Sequence, residues 1–169
     1  AANCNDITKV VEPVFKQNAG AIYYINLSQD DFKLGVSSFA QIMNKIGSYT
    51  PNVKSANYVK TVFNTIQDLI RNEQIVAGHD VSSGGLITTL LEMCFADTNL
   101  GAELDITKLN EKDSFKVLFA ENSGVVFQAK DTSIEDVLSQ AKIEFFNIGK
   151  VTESDVLSVI NHAEVFTMT

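Results

Sequence analysis

Apolar positions along the chain follow two periods, one near 2 and one near 3.6, and the switches between them outline the elements. Residues 19–27 are rich in β-branched and aromatic side chains, from Ile22 to Leu27, and end in the polar cluster Ser28-Gln29-Asp30-Asp31, which predicts a strand. Over 37–46, Phe39, Ile42, Met43 and Ile46 recur at helical spacing, so a short helix stopped by Gly47 is expected. Tyr49-Thr50-Pro51-Asn52 reads as a loop, and Ser55 stands at an N-cap position before a long helix. The apolar stripe of that helix is Tyr58, Val62, Phe63, Ile66, Leu69 and Ile70.

Residues 75–79 read as a short buried strand, and 86–96 as a helix apolar almost all round, which places it centrally. Residues 101–106, 124–129 and 145–151 read as strands, and 134–143 as an amphipathic helix opened by Thr132 or Ser133. The runs 156–160 and 165–168 predict a terminal hairpin. Strands and helices do not alternate steadily, so the expected fold class is α/β of the mixed α+β kind: a mixed β-sheet flanked by helices, in a single domain over 1–169. No internal repeat is visible.

Composition narrows the function classes. Hydrophobic residues at 45% and charged residues at 20% fit a globular domain with a sizeable core. A net charge of −8 argues against a sequence-independent grip on nucleic acid, which needs clustered Lys and Arg. Cys4 and Cys94 are too few for a disulfide framework or a zinc cluster, and both are expected as reduced thiols in the cytoplasm. Cys94 lies in an apolar run and reads as a small buried hydrophobe. No run reaches the roughly 18 apolar residues of a spanning helix, so no membrane role is expected. The opening run, Ala1-Ala2-Asn3-Cys4-Asn5-Asp6, has no signal pattern and reads as an entry point into a longer chain.

The chemistry concentrates in Gly78-His79-Asp80-Val81-Ser82-Ser83-Gly84-Gly85-Leu86, between a predicted strand and a predicted helix. The first N–H groups of a helix lack intrahelical partners and the helix dipole favours anions, so phosphate binds readily at such a junction. Gly84 and Gly85 admit close backbone approach, and the hydroxyls of Ser82 and Ser83 can cap the helix or meet phosphate oxygens. Asp80, a hard carboxylate beside that cradle, suits a magnesium ion that also touches the phosphates. The competing reading is a plain capped turn. Neither the P-loop ending nor the three-glycine dinucleotide pattern is present. His79 and Asp80, as strand neighbours, are expected on opposite faces and not as a catalytic dyad. His162 is isolated, and 119–124 (Phe-Ala-Glu-Asn-Ser-Gly) reads as a second polar turn.

These residues closely resemble the second half of phosphoribosylformylglycinamidine synthase, whose large form carries His-Asp-x-Ser-Asp-Gly-Gly-Leu followed by Leu-Glu-Met-Ala-Phe-Ala. The second block stands here as Leu91-Glu92-Met93-Cys94-Phe95-Ala96. Three further blocks agree in order: 34–41 resembles Leu-Gly-Gly-Ser-x-Leu-Ala-Gln, 119–124 resembles Phe-x-Glu-x-x-Gly, and 148–152 resembles Ile-Gly-x-Val-Thr. The resemblance covers about 19–152. Val36 replaces a usual Gly and Ser83 a usual Asp.

The resemblance implies an aminoimidazole-ribonucleotide-synthase-like C-terminal domain, cut from a larger enzyme that makes formylglycinamidine ribonucleotide from formylglycinamide ribonucleotide, glutamine and ATP. It implies Asp80 as a magnesium ligand and Ser82, Gly84 and Gly85 as nucleotide contacts, with Mg2+ and ATP or ADP bound in the full-length enzyme. The partners implied are an ATP-binding half and a glutaminase domain. The chain has no Cys-His-Glu glutaminase set, so it is expected to fold without catalysing, to expose an apolar face and to self-associate. Same-fold alternatives are aminoimidazole ribonucleotide synthase, selenophosphate synthetase, thiamine-monophosphate kinase or a hydrogenase maturation protein. A non-catalytic binding or scaffold module is the alternative outside enzymes.

Overall fold

The structure, a computed structural model, describes residues 6–96 and 99–169. Cys4 and the rest of 1–5 lie outside the described residues. The interior strand β1 (Ile22–Asn26) is flanked by β4 (Gly124–Ala129) and β5 (Phe146–Thr152), both antiparallel to it. β2 (Ile75–Val81) pairs outside β4, and β3 (Gly101–Asp105) outside β5. The expected hairpin forms from β6 (Leu157–Asn161) and β7 (Glu164–Met168), and β6 joins β3 in parallel. Among the described residues this gives one mixed seven-stranded sheet, ordered β2-β4-β1-β5-β3-β6-β7.

Alternation along β1 divides the core into two layers. Ile22 and Tyr24 face helices α3 (Gly85–Phe95) and α4 (Ser114–Phe119), where Leu86, Leu90, Met93 and Leu118 are buried. Tyr23 and Ile25 face α2 (Ala56–Arg71) and α5 (Ile134–Gln140), through Val62, Ile66, Leu69 and Leu138. Burying a Leu- or Ile-sized side chain is worth about 1.5–3 kcal/mol, so the helices owe their place to these faces more than to propensity. α2 opens as expected, with Ser55 Oγ accepting the Tyr58 N–H at 3.2 Å.

Three expectations change. The helix over 37–46 shrinks to α1 (Ser38–Ile42), because Asn44 turns left-handed at φ 52° and the Lys45 N–H bonds back to the Ala40 carbonyl at 2.9 Å. This is a Schellman stop three residues before Gly47. It leaves Ile42 80% and Ile46 59% exposed. Phe63 is also exposed, since the buried stripe of α2 runs 62, 66, 69 and Phe63 points about 100° away. The first turn of α5 is satisfied by Asp131, whose carboxylate accepts the Ser133 N–H at 2.8 Å, while neither Thr132 nor Ser133 caps through its side chain.

Candidate functional site

β2 runs two residues further than its apolar run suggested, since Asp80 and Val81 pair with Val125 and Gly124 of β4. The chain then reverses through 82–84, where the Gly85 N–H donates to the Ser82 carbonyl at 3.0 Å, and enters α3. Gly84 is the N-cap at φ 89° and Gly85 follows at φ 75°, both left-handed. Ser82 and Ser83 therefore do not cap α3, because the capping position falls on Gly84, which has no side chain. A Cβ on Gly84 would lie 2.2 Å from Thr88 Oγ1, and one on Gly85 2.7 Å from the Leu118 carbonyl oxygen. These glycines are demanded by the fold itself, through positive φ and close approach, Gly84 to Thr88 of α3 and Gly85 to the backbone at the end of α4.

An internal carboxylate sits at this helix start. Glu121, in the polar run between α4 and β4, accepts the Gly84 N–H on Oε1 at 2.8 Å. The same oxygen accepts the Ser38 N–H at the start of α1, also at 2.8 Å. Burial alone would raise the Glu121 carboxyl, but the Gly84 and Ser38 N–H bonds with the Ser38 hydroxyl outweigh it and hold it below its ordinary value. Sequence reading treated 119–124 as a turn and missed this role. The acidic residue within the Phe-x-Glu-x-x-Gly block was the available signal. Beside it, buried Asn122 donates to Ser28 Oγ and to the Asp30 and Asp31 carbonyls, tying the junction to the end of β1.

Asp80 lies elsewhere. Its side chain is 78% exposed and lines a cleft of about 920 Å³ with Gly78, Val125, Phe127 and, from α2, Ile66 and Ile70. Ser82, Gly84 and Gly85 are not among that cleft's walls. The period of two explains the separation: Gly78 and Asp80 face the α2 layer, whereas Ala77 and Val81 face the α3 layer into which the glycine turn leads. Asp80 and the turn thus meet only at the sheet edge.

His79 reaches toward α3, while Asp80 lines the cleft on the α2 side. Its Nδ1 lies 2.7 Å from the Asp80 carbonyl oxygen and 3.5 Å from the Asp80 carboxylate, while Nε2 lies 3.3 Å from Glu92 Oε2 on α3. The shorter Nδ1 contact is to the Asp80 backbone, and the two side chains approach no closer than 3.5 Å. Among the described residues no group of three or more His, Cys, Asp or Glu side chains is placed to hold a metal by itself. Cys94 is partly buried, and burial pushes its thiol up to about 11, which fits the inert role expected. His162 is exposed in the β6–β7 turn, its N–H bonded to Thr107 Oγ1. Among the described residues no helix is long and apolar enough to cross a membrane.

The family model described as AIR synthase related protein, C-terminal domain, matches residues 23–161. A relative in Arabidopsis thaliana, named "Probable phosphoribosylformylglycinamidine synthase, chloroplastic/mitochondrial", is 37% identical over 163 residues, covering 92% of this chain and 11% of its own length. The Homo sapiens phosphoribosylformylglycinamidine synthase is 35% identical over 141 residues, covering 82% of this chain and 10% of its own. The chain therefore spans about a tenth of the length of the curated relatives it matches. Among solved structures, T. maritima PurL complexed with ATP superposes with a TM-score of 0.69 at 12% identity, covering 96% of this chain and 27% of that one. Hydrogenase maturation protein HypE gives 0.62 at 13% identity, covering 94% and 55%. At these identities the two structures show a shared fold.

Proposed function

The chain belongs to the family of AIR synthase related protein C-terminal domains, and from that premise we propose that it is one domain of a phosphoribosylformylglycinamidine synthase. The parent enzyme converts formylglycinamide ribonucleotide, glutamine and ATP to formylglycinamidine ribonucleotide, glutamate, ADP and phosphate. The observation that carries this reading is identity of 37% sustained over 92% of the chain to a protein of that name. HypE shares the fold at 13% identity and lends no comparable support to the hydrogenase-maturation alternative.

In this reading Asp80 contributes to a magnesium site, and Ser82, Gly84 and Gly85 approach the nucleotide. The exposed Asp80 carboxylate is a hard oxygen donor, and no group of three or more His, Cys, Asp or Glu placed to hold a metal among the described residues includes it. That fits magnesium, which commonly takes one or two protein carboxylates and completes its shell with phosphates and water. Bound there, the ion would neutralise phosphate charge, while the chain's own part is to hold the carboxylate at the end of a paired strand and the Ser82 hydroxyl at the turn. A second reading, the glycine turn as a structural cap, has its own support: the Gly84 and Gly85 N–H groups are already bonded, to Glu121 and to Ser82.

The remaining ligands and the chemistry belong, on this proposal, to an ATP-binding half and a glutaminase domain that pack on this domain within one parent. A cytosolic parent is part of this reading, and the Arabidopsis relative is named as chloroplastic/mitochondrial. A chimaera tests the reading: this chain replaces the corresponding segment of a full-length synthase. Retained substrate-dependent ADP release is the expected result, and the isolated chain should give none. A folded chimaera without ligase activity would overturn the assignment.

A further inference from the structure

Among the described residues, Glu121 is the one side chain hydrogen-bonded to both loops whose sequences carry the family blocks, the glycine turn at 82–85 and the entry to α1 at 34–38. It reaches them across 37 and 83 residues of sequence. Both N–H groups fall on a single oxygen, Oε1, at 2.8 Å. Each is a first-turn donor that its own helix leaves without a partner, and a carboxylate at a helix start gains from the local dipole as well as from the bonds. No other hydrogen bond of the described residues joins these two loops. Gly84 and Gly85 cannot hold their turn by a side-chain cap, and Ser37 Oγ caps α1 internally by accepting the Ala40 N–H. Among the hydrogen bonds of the described residues, the link between the two loops therefore runs through Glu121.

We propose that Glu121 is a positioning residue, clasping the glycine turn and the α1 entry into one unit so that they open and close together. The consequence for ligand binding rests on the nucleotide reading above: an anion at the turn meets a Gly84 backbone already oriented, and its arrival is felt at Ser38 through the shared oxygen. Glu121 touches no reacting atom in this scheme. It acts through the loops it holds.

Amide exchange in the 169-residue chain tests the clasp. In Glu121→Ala the Gly84 and Ser38 amides are expected to exchange about tenfold to a hundredfold faster together, the factor of a lost charge-assisted hydrogen bond. The amides of Ile66 and Leu69 in α2 serve as the control and should not change. Glu121→Gln keeps an acceptor oxygen at the same reach and should restore most of the protection at both positions. Should Glu121→Ala not fold, Glu121→Asp carries the same measurement, since its carboxylate is withdrawn by one methylene. Acceleration at one loop only, or equal loss of protection in α2, overturns the clasp.

In the full-length parent, Mg-ATP affinity should fall about tenfold in Glu121→Ala and recover in Glu121→Gln. Unchanged affinity in Glu121→Ala, where Asp80 and Ser82 variants do weaken binding, overturns the positioning role. Unchanged affinity in all of these variants instead fails the nucleotide reading, and the paired amide exchange alone then decides the clasp.

Discussion

Gly85 lies so close to Leu118 that a Cβ added to it would stand 2.7 Å from the Leu118 carbonyl oxygen, with the Phe119 carbonyl carbon at 2.8 Å. Both neighbours are backbone, so neither can swing aside, and the position also holds φ 75°. Gly85→Ala is therefore expected to destabilise the chain by about 2–4 kcal/mol, from overpacking together with left-handed strain. Thermal unfolding of the pure variant measures it. A melting temperature equal to wild type would show that α3 and α4 can separate without cost.

Val36 poses the opposite case. It holds φ 63° although it is β-branched, and it stands where the resembled block has Gly. Left-handed backbone costs a residue with a Cβ roughly 1–2 kcal/mol, and glycine gives back part of that gain through its freer unfolded chain. Val36→Gly should accordingly stabilise by about 0.5–1 kcal/mol, read as a shift of the urea midpoint at constant slope. A lower midpoint would mean that the half-exposed Val36 side chain contributes more than its backbone costs.

These two positions show what the sequence made legible and what it did not. Strand existence, the capped start of α2 and the terminal hairpin followed from alternation and local caps. Helix ends did not: α1, α2 and α5 all stop in Schellman turns whose left-handed residues are Asn44, Glu73 and Lys142, so no glycine marks them. The apolar run before the glycine turn predicts a strand that ends at His79. Carried on to Val81, the same alternation puts Asp80 on the α2 face, away from the turn. Glu121 was illegible for a different reason, since its partners are remote in sequence and only the folded sheet brings them to one oxygen.

Asp30 predicts an acid limit. Its buried carboxylate accepts from Lys33 Nζ at 2.6 Å and from the Asn52 N–H at 2.9 Å, with Lys54 Nζ at 3.1 Å. The Lys33 bond first, then those from Asn52 and Lys54, outweigh burial and hold the group well below its ordinary value of 3.8. The folded state thus binds fewer protons than the unfolded one, so this stabilisation is complete above the unfolded pKa and is lost as pH falls through the folded one. Asp30→Asn should cost about 1–3 kcal/mol at neutral pH and flatten the fall in stability below about pH 4. Parallel pH–stability curves for wild type and variant would remove Asp30 as a source of that slope.

The apolar surface should make the isolated chain associate. Phe39, Phe115 and Phe119 form a ring cluster with centroids 4.8–6.1 Å apart, and Phe115 is 53% exposed. Phe115, Phe119, Val165 and Phe166 also line a groove of about 420 Å³ beside the edge strand β7. Apolar patches of this kind are covered in monomers or mark contacts. Sedimentation should show concentration-dependent association that Phe115→Asp reduces. A monomer at every concentration would detach this face from the expectation of a surface covered in a larger enzyme.

The last expectation concerns Asp80 and Ser82 in the full-length parent, where the metal reading and the capped-turn reading part. Asp80→Asn keeps size and removes the charge that would hold magnesium, while Ser82→Ala removes one hydroxyl. Asp80 is exposed and ends a paired strand, so neither change disturbs the core, and the melting temperature should move little. On the metal reading, Asp80→Asn raises the magnesium needed for ATP binding, and Ser82→Ala weakens binding by about 0.5–1.5 kcal/mol, the net worth of one neutral hydrogen bond. On the capped-turn reading, both titrations overlay wild type. The geometry sharpens the contrast, because Asp80 and the turn face different layers of the sheet: a metal bound by Asp80 must reach a ligand around the sheet edge, past His79. Titrating magnesium at fixed ATP in wild type and both variants therefore tests more than the two residues. A loss in both variants would mean that carboxylate and hydroxyl act on the Mg-nucleotide from separate sides, whereas a loss confined to Ser82→Ala would keep the nucleotide at the turn and take the metal away from Asp80.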